Sequence, residues 1–206
     1  MLALRQNMTQ TPENPCARSE HGVAEAKPRP LGKANLVLRE APVSVYGVLQ
    51  VHSAPAALCP HIEWAVAGIV GAAVSMPWVS QPAAPGSLRA ELTWKGRPGM
   101  AGAITSALAG WNRLRFEVTE DSSPGCDAIR HSYTPSLGIF SATTSANGDI
   151  LVPENKLRAV LALGANGTSA LEKEIERLLG AAWDNELEPF RRAGDGAPVR
   201  WLNATG

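Results

Sequence analysis

The sequence predicts an α+β fold, a ferredoxin-like split βαβ antiparallel sheet extended by an extra hairpin and by C-terminal helices. The first observation is an alternation of strand-like and helix-like hydrophobic periods between residues 43 and 120, in the order strand, helix, strand, strand, helix, strand. The second is a pair of apolar strands followed by an Asn-Gly turn, which extend the sheet. The third is the return of a helical period after Pro153.

The first half of this pattern rests on valine-rich runs and on prolines. The run VSVYGVLQV, residues 43–51, is rich in valine and aromatic residues, as buried strands are. Pro60 stands at the first position expected of the next helix, where its missing N–H has no partner to lose. Residues 73–81 form a weaker strand, which Pro77 restricts to a sheet edge because proline cannot donate to the ladder. Residues 88–94, LRAELTW, alternate strictly.

The second half repeats the pattern and adds a hairpin. Residues 98–111 carry large apolar side chains at helical spacing, and residues 112–120, NRLRFEVTE, alternate again. Two further strands are predicted at 128–135 and 137–145. Asn-Gly-Asp at 147–149 predicts a type I′ turn into a last short strand.

Two helices are predicted near the C-terminus. One begins at Pro153, and the other lies in SALEKEIERLLGAAW. Ser169 and Glu172 have the spacing of a capping box at the start of this second helix. Its apolar face is centred on Ile175.

Length and composition indicate one domain. The chain of 206 residues is long enough for one substantial core, which we place at 43–195. Residues 1–42 mix proline, charged and small residues without period, which predicts a largely disordered extension, and residues 196–206 are a tail.

Charge and cysteine usage limit the class of function. The formal net charge of +0 argues against a protein held on nucleic acid by electrostatics. The three cysteines are odd in number and far apart, which is a poor disulfide framework and typical of a reducing cytosol. No apolar run approaches the roughly 20 residues of a membrane-spanning helix. We therefore expect a cytoplasmic protein with no cofactor, no nucleic-acid partner and no membrane insertion.

The stretch HSAPAALCPHIEWA, residues 52–65, is the most suggestive segment for chemistry. Cys59 precedes Pro60 at a helix N-terminus, where the helix dipole lowers a thiol pKa, and His61 or His52 could act as its base. A zinc site would need a second close pair of ligands, which the chain lacks. A joint between strand and helix explains the segment with no chemistry at all, and we expect no catalytic residue here.

A recognition surface is the alternative to chemistry. If two helices cover one sheet face, the opposite face carries polar side chains and is open to a partner, although solvated cross-strand ion pairs would leave the same pattern. Trp64 lies off the apolar face of its helix, as recognition residues often do. The candidate partner-binding residues are Tyr46, His52, Trp64, Arg89, Arg113, Arg115, Trp183 and Phe190.

Several blocks of the sequence resemble the actinobacterial "domain of unknown function 3145" family. They include VHSAPAALCPHIEWAVAGIVG, QPAAPGSLRAELTW, YTPSLGIFSATTSANGDILVPENKLR and LEKEIERLLGAAWDNELEPFRRA, and they run from about Tyr46 to about Arg192. The resemblance brings no catalytic motif. It implies a cytoplasmic actinobacterial protein whose gene lies near the fatty-acid synthesis cluster.

We therefore expect a non-catalytic interaction protein. The resemblance favours an accessory or regulatory subunit of a larger enzyme in fatty-acid or acyl-CoA metabolism, with an acyl-CoA carboxylase subunit as the first candidate partner. The alternative is a small cytosolic enzyme or ligand-binding domain that uses His52, Cys59 and His61.

Overall fold

The computed structural model describes residues 43–163 and 167–193 of the chain. The predicted extension at 1–42 and the tail at 196–206 lie outside these ranges. Within them, seven strands form one antiparallel sheet: β1 (Val45–Pro55), β2 (Val79–Ser80), β3 (Ser87–Gly96), β4 (Arg115–Glu120), β5 (Ala128–Thr134), β6 (Gly138–Thr144) and β7 (Ile150–Leu151). The predicted α+β class is confirmed.

Five α-helices accompany the sheet in the same described ranges. They are α1 (Cys59–Val70), α2 (Met100–Leu108), α3 (Glu154–Leu163), α4 (Thr168–Leu179) and α5 (Ala181–Arg192). A single 3₁₀ turn, Ala56–Leu58, joins β1 to α1. Within the described ranges, no helix is both long and apolar enough to cross a lipid bilayer.

The strands lie side by side in the order β2-β3-β1-β4-β5-β6-β7. β1 is the third strand in this order and pairs antiparallel with β3 on one side and β4 on the other. The sequence order of the first four strands and two helices is the predicted one. The ferredoxin-like comparison itself stays a prediction, since β2 is only two residues long.

The main core lies between the sheet and the pair α1 and α2. The inward residues of the strands alternate as predicted, with Leu49 of β1 and Phe116 of β4 fully buried. Ile62 of α1 and Ile104 of α2 pack into the same cluster. Burying side chains of this size contributes about 1.5–3 kcal/mol each, so this layer supplies most of the driving force for folding.

Two predicted local features are wrong in detail. Asn147 does not have a positive φ, so the turn before β7 is not type I′. Gly148 alone is left-handed there, with a φ of 89°, and its N–H donates to the Ser145 carbonyl oxygen. The N-terminus of α4 has Gly167 as its cap and no side-chain capping bond, so the capping box of Ser169 and Glu172 does not form.

Candidate functional site

The sheet face opposite α1 and α2 is partly covered by α5. Leu187 of this helix is fully buried. Trp183 donates its indole N–H to the Gly138 carbonyl oxygen at 2.9 Å, and its ring lies 5.2 Å from that of Phe140. The expectation that this whole face is open is therefore wrong, because α5 crosses it from β6 to β1.

A buried carboxylate lies at the centre of this covered half. Glu117 of β4 accepts hydrogen bonds from Arg191 of α5 at 2.7 and 2.9 Å and from Arg130 of β5 at 2.9 Å. The Ser132 hydroxyl donates to the same carboxylate at 3.0 Å, and the His52 ring nitrogen Nε2 lies 2.7 Å from it. We call these five residues, together with Asp184, the α5 clasp.

The clasp balances its charges. Asp184 of α5 pairs with both Arg130 and Arg191, so two carboxylates face two guanidinium groups. Burial by itself would raise the pKa of Glu117, but Arg130, the hydrogen bond from His52 and the charge of Arg191 hold that pKa well below its ordinary value. Because Glu117 is ionised, its carboxylate only accepts, and His52 must carry a proton on Nε2.

A β-bulge explains how His52 reaches Glu117. The register of β1 shifts between Val51 and Ser53 against β4, so His52 is the extra residue. The imidazole is buried, and the His52 carbonyl oxygen accepts a bond of 2.6 Å from Gln81. This predicted partner or base residue is thus held inside the protein and is not available at the surface.

The other predicted aromatic and arginine residues near α5 are also used internally. Arg115 pairs with Glu186 at 3.1 Å and lies 4.8 Å above the ring of Phe190. Phe190 and Trp183 therefore hold α5 on the sheet and do not project as free partner-binding residues.

Three further residues, predicted to bind a partner on the sheet face opposite α1 and α2, lie in different environments. Arg113 is not on a strand, because β4 begins at Arg115 and Arg113 forms a turn with a φ of 71°. Arg89 of β3 is half-buried, and its Nε has no hydrogen-bond partner in the part of the chain described. Tyr46 is 52% exposed, with the Lys95 ammonium 5.3 Å from its ring centroid.

The half of this face that α5 does not cover is an open cleft of about 590 Å³. Its floor is Val48 of β1, which lies opposite Thr93 of β3 on one side and Thr119 of β4 on the other. The turn at 145–148 forms one wall, and Gln50 and its hydrogen-bonded partner Glu91 lie on the β3 side. Most of the residues that line it carry a hydroxyl, amide or carboxylate group, although their apolar atoms make up a similar share of the surface.

Cys59 is the buried first residue of α1, and its thiol donates weakly to the Pro55 carbonyl oxygen at 3.7 Å. Burial, followed by the charge of Glu63, raises the pKa of this thiol. The predicted lowering by the helix N-terminus is therefore wrong.

The histidines predicted to act with Cys59 do not lie together. His61 is exposed on α1, whereas His52 is committed to Glu117 on the other side of the sheet. Across residues 43–163 and 167–193, no three His, Cys, Asp or Glu side chains are grouped so that they could hold a metal ion. Cys59 is a free thiol.

Trp64 is the most prominent predicted residue that stays at the surface. It lies on the outer side of α1 and is 79% exposed, the largest exposure among the large hydrophobic residues described. Ile62 and Val66, its neighbours on the inner side of α1, are fully buried. The helix that displays the indole is therefore firmly packed.

Glu63 further fixes the helix that carries Trp64. One of its carboxylate oxygens accepts the Met76 backbone N–H at 2.7 Å and the Trp78 indole N–H at 3.0 Å. These two bonds tie the segment after α1 back onto the helix. Glu63 is thus a structural residue that fixes the segment following α1.

The comparison with known families agrees with the resemblance read from the sequence. A family model described as "Protein of unknown function (DUF3145)" matches residues 48–204. The chain belongs to the DUF3145 family. No curated protein and no solved structure matches it significantly.

Sequence reasoning missed the DUF3145 residues that complete the clasp. Arg130 lies in a segment with the pattern of a strand. Asp184 and Arg191 lie in a segment with the composition of a charged tail. A usable signal existed in α5, where Asp184, Leu187 and Arg191 recur at helical spacing and so share one face. Gln81, which donates to His52 and to the Phe190 carbonyl oxygen, follows the edge strand and has no comparable signal.

Proposed function

We propose that this chain is a non-catalytic interaction protein whose partner docks on the outer side of α1, around Trp64. The 79% exposure of Trp64 carries the proposal. When a tryptophan stays outside the core, the folded protein forgoes the stabilising free energy that burial of this large apolar side chain would contribute. Tryptophan is also enriched among the residues that dominate binding energy at interfaces.

The surroundings of Trp64 suit a docking surface. Gly68 lies one helical turn further along α1, and a Cβ atom added there would meet no heavy atom within 4 Å. A partner can therefore approach the helix backbone closely beside the indole. His61, on the preceding turn, adds a polar group at the edge of the same surface.

The partner we propose is a larger enzyme of fatty-acid or acyl-CoA metabolism, with an acyl-CoA carboxylase subunit as first candidate. The support is the family resemblance and the gene neighbourhood that it implies. The physical requirement on the partner is an apolar pocket that accepts an indole ring, with polar groups around it.

Co-purification with matched variants tests this function. The tagged full chain should recover acyl-CoA carboxylase subunits in a stoichiometric complex. Trp64→Ala should weaken that complex at least about 30-fold, the loss expected of a dominant interface residue. Val79→Ala removes an exposed side chain from the edge strand β2 and should leave binding unchanged. If no carboxylase subunit co-purifies in stoichiometric amount, the named partner is wrong. If Trp64→Ala binds as tightly as wild type, the proposed site is wrong.

The cleft supports a second candidate function, binding of a small polar ligand. Its volume of about 590 Å³ is in the range of small-molecule sites. This cleft replaces the segment of His52, Cys59 and His61 as the place where a ligand would bind. A ligand that raises the unfolding temperature of the wild-type chain, but not of a Thr93→Leu and Thr119→Leu variant with a filled cleft, would support it.

A further inference from the structure

α3 and α4 each leave two apolar side chains exposed, four positions apart along the helix. α4 has the apolar spacing of a helix that faces a core, yet none of its described residues is buried. Ile175 and Leu179 of α4 are exposed, as is Leu157 of α3, and Leu161 of α3 is 70% exposed. We call these four residues the α3–α4 row. An apolar row of this kind is usually covered in the working assembly.

We propose that a second copy of this chain covers the row, with α3 of each copy packed against α4 of the other about a two-fold axis. An interface of this kind is isologous, so one surface patch serves both copies. It lies on different helices from Trp64 and does not depend on the function proposed above.

The charges beside the row favour a second copy as its occupant. On α4, helical spacing places the exposed Glu172 and Glu176 next to Ile175 and Leu179, and neither has an ion-pair partner among the described residues. On α3, Lys156 and Arg158 flank the row on its two sides. Within the described part of the chain, Arg158 pairs with Glu154 of its own helix, an exposed pair that is worth little and can exchange.

These charges are complementary in one specific pairing. α3 carries two basic residues and one acidic residue, and α4 carries two basic and three acidic residues. Pairing α3 with the α4 of another copy therefore brings a basic border against an acidic border twice per dimer. Pairing α4 with another α4 would instead bring the acidic borders together.

The described chain ends at the opposite edge of the sheet from the start of α3. α5 runs across the sheet, and the Phe190 carbonyl oxygen accepts a bond from Gln81, between β2 and β3. α5 therefore ends at the β3 side of the sheet. α3 follows β7, at the opposite edge.

Molecular mass in solution tests the proposal, using the full chain in sedimentation equilibrium from low to high micromolar concentration. The wild-type chain should approach twice its mass of 21.7 kDa. Leu161→Glu and Ile175→Glu each place a charge in the row and should sediment as monomers. Because both positions are exposed, circular dichroism should show that these variants remain folded. Val79→Glu, the matched change on the exposed edge strand, should remain dimeric.

Charge reversal tests the pairing itself. A variant with Lys156→Glu and Arg158→Glu should dimerise at least about tenfold more weakly than wild type, as should one with Glu172→Arg and Glu176→Arg. An equal mixture of the two should recover the dimer, because each reversed helix then faces an opposite charge. A monomeric wild-type chain, a dimeric Leu161→Glu variant, loss of the dimer in Val79→Glu or failure of the mixture would each overturn the proposal.

Discussion

Arg191 and Glu117 lie 74 positions apart in the chain, and two hydrogen bonds of 2.7 and 2.9 Å join their side chains. This contact fastens the last described helix to the centre of the sheet. It also brings the guanidinium group of Arg191 into a mostly buried site, where the carboxylate of Glu117 is the main charge that balances it. Stability at this point therefore depends on keeping every charge of the α5 clasp matched.

Glu117→Gln should destabilise the protein by about 3–5 kcal/mol, because the guanidinium groups of Arg130 and Arg191 would lose the charge that offsets their burial. Urea unfolding measures the change. Glu154→Gln provides the control, since Glu154 pairs with Arg158 in solvent and its loss should cost less than about 0.5 kcal/mol. Equal effects of the two changes would contradict the role given to the clasp.

Acid should weaken the same clasp. The pKa of Glu117 in the folded protein lies well below its ordinary value, whereas the unfolded chain titrates near pH 4.3. The stabilisation is therefore complete above about pH 4.3 and is lost as the pH falls towards the folded-state pKa. Urea unfolding at several pH values below 5 should show a steeper decline for wild type than for Glu117→Gln.

His131 should make stability depend on pH in a higher range. It is buried on β5, its Nδ1 lies 2.7 Å from the Ser141 hydroxyl, and burial lowers its pKa to about 4. Between about pH 6.5 and 4 the unfolded chain binds a proton that the folded chain does not, so stability falls as pH falls, by on the order of 3 kcal/mol.

His131→Leu removes the titrating group and should flatten this dependence in urea unfolding. Ser141→Ala is the control, because it removes the hydrogen bond at every pH but leaves the imidazole. A wild-type stability that does not change between pH 6.5 and 4 would contradict the prediction.

Two glycines should respond to alanine in opposite directions. A Cβ at Gly47 would lie 2.2 Å from the Thr119 carbonyl oxygen and 2.2 Å from the Trp94 ring, so Gly47→Ala should cost at least about 2 kcal/mol. Gly68→Ala in α1 meets open space and should stabilise the protein by about 0.5–1 kcal/mol. Thermal unfolding measures both changes. If a partner docks beside Trp64, Gly68→Ala should also weaken binding while it raises stability.

The Cys59 thiol should react slowly with thiol reagents in the folded protein. Burial raises its pKa, so little thiolate forms at neutral pH, and the sulfur is shielded as well. Mass spectrometry that locates the label at Cys59 should show slow modification of native protein and fast modification in urea. Rapid labelling of native protein at neutral pH would revive the nucleophile interpretation.

Most of the sheet could be predicted because its residues obey a local period. In β3 and β4, alternate side chains enter the core, and the same alternation is visible in LRAELTW and RFEVTE. β2 was predicted too long, since Pro77 and the hydrogen bonds that Met76 and Trp78 donate to Glu63 hold the preceding residues out of the ladder. Local pattern thus identified elements well and their boundaries less well.

The position of α5 could not be predicted, because it depends on pairings between distant polar residues. Nothing near Glu117 in the sequence indicates that Arg191 will neutralise it, and an isolated charged segment reads as a solvated surface. The same limit applies to the open cleft, because its lining comes from segments that lie far apart in the chain. Of the predicted partner residues, Tyr46 and Trp64 are largely exposed, while His52, Trp183 and Phe190 are occupied within the fold.

The bond between Gln81 and Phe190 spans 109 positions of the chain. During synthesis, β1, β3 and the first two helices leave the ribosome long before α5. His52 and Glu117 therefore emerge before Arg191 of that helix can pair with Glu117. A nascent chain stalled before residue 180 should therefore expose a polar sheet surface and resist proteases poorly, and full resistance should arise only after α5 emerges.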